Sequence, residues 1–104
     1  MGELCKKELL ACARKEINEV DAEMAKLFVR RMRAAEKVAE YKRANGLPVL
    51  DVAREEAVVA QNAELIGDEA IRPYYVEFIR GNMALSRAYQ EQLLFRTGEK
   101  NKQD

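Results

Sequence analysis

A chain of 104 residues is enough for one domain, and its own core is small because short chains bury a smaller fraction of their surface. Its 18 lysines and arginines balance 18 aspartates and glutamates, which excludes a global field for nucleic acid or an anionic membrane; an anion would be held by a few placed cations. The absence of histidine removes the usual general base and the Ser-His and Cys-His nucleophile pairs, and argues against a transition-metal site.

The start MGELCKKELL lacks the apolar core of a signal peptide, and no run approaches transmembrane length, so a cytoplasmic location is expected. Between Leu4 and Ala44 there is no glycine or proline. Leu10, Ile17, Val20, Met24, Leu27, Phe28, Ala35 and Val38 recur at three- and four-residue steps, which predicts one long helix over about 4–45. Cys5 and Cys12 then stand roughly 10 Å apart, beyond disulfide reach, as reduced and partly buried thiols. Asn45-Gly46 supplies a left-handed stop, with Pro48 shortly after it.

Asp51 reads as the N-cap of a short second helix, about 52–66, with Val58, Val59, Leu65 and Ile66 on its apolar side and Gly67 ending it. Asp68 and Pro73 start a third helix, about 72–96, with Phe78, Ile79, Met83, Leu85, Tyr89, Leu93 and Leu94 on its buried side. Gly81 within it suggests a close helix approach. The tail RTGEKNKQD, to residue 104, reads as polar and frayed.

The fold class is therefore all-α: a three-helix protomer in a single domain, 1–104. A first helix of about 60 Å far exceeds the radius of gyration of a compact domain of this size, about 13 Å. Its own chain cannot cover it, so an intertwined two-fold homodimer is expected.

The seam of the first helix runs Leu10, Arg14, Ile17, Asp21, Met24, Phe28, Arg31, Ala35, Val38, Lys42, and four of its positions are charged. On a stripe that faces a core, each charge needs a partner or a ligand; the alternative is that long stems snorkel past it or pair with Asp21 and Glu55. Arg31 and Lys42 lie nearly three whole turns apart, roughly 16 Å, and could close on a small molecule between them. Arg14, roughly 25 Å from Arg31, falls level with that interval only from a second, antiparallel helix of another chain. In the third helix Ser86 and Gln90 share a face with Asn82, and a buried glutamine there needs either another helix or a ligand for its amide.

The ordered set RKEINEVD, RRM, AEYKRANGLPVLDVAREE and S-x-x-x-Q resembles the all-helical chorismate mutase family from about Glu8 to Leu94. The resemblance implies conversion of chorismate to prephenate by a Claisen rearrangement, without cofactor or covalent intermediate, in an intertwined homodimer, as a branch-point step of aromatic amino acid biosynthesis in the shikimate pathway. By the same resemblance Arg14 crosses into the neighbouring protomer's site, and with Arg31 holds the two substrate carboxylates. Lys42 contacts the ether oxygen and a carboxylate, and Gln90 donates to that oxygen from the opposite side. Glu55 accepts from the ring hydroxyl beside the backbone of Asp51, while Arg54 and Ser86 complete the polar wall. Asn82 departs from the pattern, standing where the family usually has an apolar residue. An isochorismate pyruvate lyase of the same fold, or a non-catalytic helical dimerisation or ligand-sensing module, are the alternative readings.

Overall fold

The computed structural model describes the backbone of residues 5–103, and the surroundings of side chains from 8 to 95. The expected helix start at Leu4 and the burial of Cys5 lie outside the described residues. The chain forms α1 (Cys5–Ala44), α2 (Val52–Ala63) and α3 (Arg72–Gln103), with no strand among the described residues. It divides into two units, residues 1–33 and 34–104.

Among the described residues the first unit holds a single helical stretch and no second layer, so its apolar residues there have nothing within the unit to bury against. Every residue from 8 to 30 is exposed, including Leu10, Ile17, Val20, Met24, Leu27 and Phe28. The Cys12 thiol, expected to be partly buried, is exposed for the same reason.

In the second unit, local chemistry sets the break after α1. Gly46 takes φ 64°, a left-handed conformation that a side chain disfavours. Its N–H donates to the Arg43 carbonyl (3.3 Å) and that of Leu47 to the Lys42 carbonyl (2.8 Å), the paired bonds of a Schellman end. The Asn45 side chain covers the Tyr41 carbonyl at 2.8 Å. Five residues beyond Gly46, the Asp51 carboxylate accepts from the Arg54 N–H (3.0 Å) and opens α2.

α2 ends at Ala63, three residues short of expectation. The cause is Arg72, the first residue of α3, whose guanidinium donates to the carbonyls of Ala63 (3.1 Å) and Ile66 (2.7 Å). These bonds hold Glu64 to Ile66 in a turn, so Gly67 is not the stop. α3 in turn continues to Gln103 rather than ending near 96. Its last residues are rich in Lys, Glu and Gln, which favour a helix, and no proline interrupts them.

The core of this unit is Val59, Ile79 and Met83, with Val58, Tyr75 and Val76 packed against it. The first turn of α2 meets Arg87, while Val59 one turn later meets Ile79 and Met83, so α2 and α3 run antiparallel. The buried line of α3 is Ile79, Met83, Ser86 and Gln90; Phe78 and Leu85 stand one residue off that line and are exposed, contrary to expectation. A Cβ on Gly81 would meet nothing within 4 Å, so no close approach in the protomer depends on that glycine. From α1 the unit buries Ala35 and Ala39, one turn apart. Tyr89 donates to the Glu36 carboxylate, and a shallow cleft between Ala39, Glu40 and Arg43 of α1 and Leu93 and Leu94 of α3 lies beside that bond.

Candidate functional site

The polar groups that the second unit takes out of water gather at the α1–α2 break and along the buried line of α3. Lys42, in the last turn of α1, is half-buried, and its Nζ donates to the Val49 carbonyl at 2.6 Å. The same residue thus anchors the break twice, accepting through its backbone from Leu47 and donating through its side chain across the turn. An ammonium carries three donors, and Val49 takes one of them.

On α3, Ser86 and Gln90 are 6% and 7% exposed, the only buried polar residues among those described. Gln90 Nε2 donates to Ser86 Oγ at 3.1 Å, whereas Gln90 Oε1 is buried and has no hydrogen-bond partner. Turning the amide over lets the Ser86 hydroxyl donate to Oε1 instead and leaves the Nε2 hydrogens unpartnered. In either orientation one end of a buried amide is orphaned, at a penalty of about 1–3 kcal/mol. A fold tolerates such a group where something outside the chain completes it.

Glu55, in the first turn of α2, faces Arg87 of α3, with Oε2 at 2.8 Å from Nε. The pair is partly buried, at 22% and 34% side-chain exposure. The Arg87 Nε hydrogen makes no bond of good geometry despite the short contact, so the interaction is ionic with the donor aimed elsewhere. Arg54 contributes its backbone N–H to the Asp51 cap, and both residues are exposed. Asn82 is half-buried on the flank of Ser86.

Of the expected site residues, Lys42, Asp51, Arg54, Glu55, Ser86 and Gln90 belong to the second unit. Arg14 and Arg31 belong to the first, where Arg14 is exposed and Arg31 half-buried. Arg87 was missed by the sequence reading. Its position, one residue after Ser86, was in plain view, but what gives it weight is a contact between two helices that no spacing rule foretells.

A family model described as chorismate mutase type II matches residues 13–91, a span that takes in every candidate residue from Arg14 to Gln90. No curated protein and no solved structure matches the chain.

Proposed function

The chain belongs to the type II chorismate mutase family and isomerises chorismate to prephenate; on that premise we propose that it does so in an intertwined two-fold homodimer, by electrostatic and conformational stabilisation of a Claisen transition state. In that rearrangement the ether C–O bond breaks as a C–C bond forms, with no proton transferred and no covalent intermediate. The protein's task is to hold a flexible dianion in its compact conformer and to meet the negative charge growing on the ether oxygen.

Lys42 and Gln90 supply donors to that oxygen from opposite sides. Arg31, together with Arg14 of the partner subunit, grips the two carboxylates, for which a planar guanidinium fork is suited. Glu55 accepts from the ring hydroxyl near the Asp51 backbone, and Arg54 and Ser86 complete the wall. No histidine is required for such a step, which agrees with its absence from the chain.

The observation that carries the reading is the Gln90 amide, buried on α3 with one end unpartnered, in the same unit as the half-buried Lys42. A sealed dimerisation module has no use for an orphaned amide. The dimer is supported by the first unit, whose apolar residues from Leu9 to Val29 all lie open to solvent. Among the described residues no helix is long and apolar enough to cross a membrane. We place the enzyme in the cytoplasm, at the branch of the shikimate pathway that leads to phenylalanine and tyrosine.

The test is to follow chorismate disappearance spectrophotometrically with purified protein and to identify the product. Prephenate is expected. Salicylate with pyruvate from isochorismate, and no prephenate, would make the protein a lyase of the same fold; no turnover of either substrate would make it a binding module.

A further inference from the structure

α2 and α3 are joined by two Glu–Arg pairs from adjacent residues of α2, and the pairs differ in a way that bears on the site. Glu56 and Arg80 form the outer one, with side chains 50% or more exposed. Both Glu56 oxygens accept from Arg80, at 2.9 and 3.3 Å, so that carboxylate is closed by its partner. Glu55 and Arg87 form the inner one. Here a single contact at 2.8 Å involves Oε2 alone, no hydrogen bond completes it, and Oε1 is left open as an acceptor.

Arg87 lies between Ser86 and Gln90 in sequence and one turn beyond the core residue Met83. Its charge therefore draws the Glu55 carboxylate from the first turn of α2 towards the buried polar end of α3. Left to itself, a carboxylate in the first turn of a helix is attracted to the free N–H groups of that turn and to water.

The geometry points to Arg87 as a positioning residue of the mutase site: it holds Glu55 through one oxygen so that the other faces the ring hydroxyl of chorismate. This rests on the role assigned to Glu55 above. The hydroxyl is present in the ground state and the transition state alike, so its acceptor contributes uniform binding, which is read in KM rather than kcat. The outer pair makes no contact with Glu55, although the Arg80 charge is felt there, so it serves as the control for charge acting at a distance.

Steady-state kinetics on chorismate are compared for the wild type, Glu55→Gln, Arg87→Met, the double variant, Arg87→Lys and Arg80→Met, with helicity and melting recorded for each. Arg87→Met is expected to raise KM about tenfold with kcat within about threefold, and to change KM less than about twofold when Glu55→Gln is already present. Arg87→Lys, which keeps the charge, should recover most of the loss, and Arg80→Met, which removes only a charge at a distance from Glu55, should change KM less than about twofold. If Arg87→Met does not fold, Arg87→Gln, which removes the charge but keeps a polar stem, takes its place in the same cycle with Glu55→Gln and is read by the same outcomes. An unchanged KM in Arg87→Met, or an equal rise with and without Glu55→Gln, overturns the inference. If Glu55→Gln itself leaves KM unchanged, the role of Glu55 falls and the inference with it; if Glu55→Gln raises KM and Arg87→Met does not, only the inference falls.

Discussion

Gln90 separates stability from activity within one side chain. Its unpartnered oxygen is a burden on the free protein, so an apolar residue of similar volume relieves the fold while removing the donor proposed for the ether oxygen. Gln90→Leu is expected to melt at or above the wild-type temperature while kcat falls by about a hundredfold or more. A variant that both melts lower and keeps its turnover would place Gln90 in packing alone. Lys42 is the opposite case, because its ammonium also holds the Val49 carbonyl. Lys42→Ala should lower kcat by at least about a hundredfold and also lower the melting temperature, since a hydrogen bond to a charged group contributes about 1.5–3 kcal/mol. Near-normal turnover in that variant would remove Lys42 from the mechanism.

Among the elements, Gly46 and Gly81 of the second unit respond to the same substitution with opposite signs. Gly46→Ala places a Cβ on a left-handed residue and should destabilise by about 1–2 kcal/mol, lowering the melting temperature by several degrees. Gly81→Ala fills open space within a helix and should stabilise by up to about 1 kcal/mol. The sequence showed the first of these plainly, because Asn45-Gly46, Pro48 and Asp51 act through local geometry and each specifies its own turn or cap. It did not show the ends of α2 and α3. Arg72 reaches back nine residues to the Ala63 carbonyl, which is a tertiary contact, and α3 runs on through Gly98, a residue that taken alone reads as a stop. Phe78 and Leu85 were misplaced because aromatic and aliphatic residues surround α3, and only the position of α2 selects which stripe is buried. The outer ion pair adds a pH dependence. Arg80, first by its hydrogen bond and then by its charge, lowers the Glu56 carboxyl below its ordinary value of 4.5. A carboxyl lowered on folding stabilises above its unfolded value and loses that contribution as the pH falls through the folded one. Glu56→Gln should therefore narrow the gap in melting temperature between neutral pH and pH below about 4.5, by a small amount because the pair is exposed.

For the whole molecule the open question of α1 is what covers it. The length of the first helix, set against the size of the chain, led to the expectation of a partner, and the exposure of residues 8–30 agrees with that need. Light scattering is expected to give twice the chain mass, and a compact monomer would refute the dimer. If Arg14 acts in the neighbouring site, Arg14→Ala and Lys42→Ala complement each other. Unfolded together and refolded, they should regain about a quarter of wild-type activity, because random pairing makes half the dimers mixed and each mixed dimer has one intact site. No recovery, with subunit exchange verified, would assign Arg14 to its own protomer. Charges on an apolar stripe suggested a composite site, which the complementation experiment tests, while the unpartnered Gln90 oxygen became visible only once its surroundings were known. The link from Asn45 to Asp51 sets a limit of another kind. A Schellman end occupies its start, the Lys42 bond fixes Val49 near its middle and the Asp51 cap closes it. It behaves as a gauge block. Exchanges at exposed Leu47 or Leu50 leave its dimension alone, but one inserted residue has no slack to occupy and must shift the whole of α2 against Lys42.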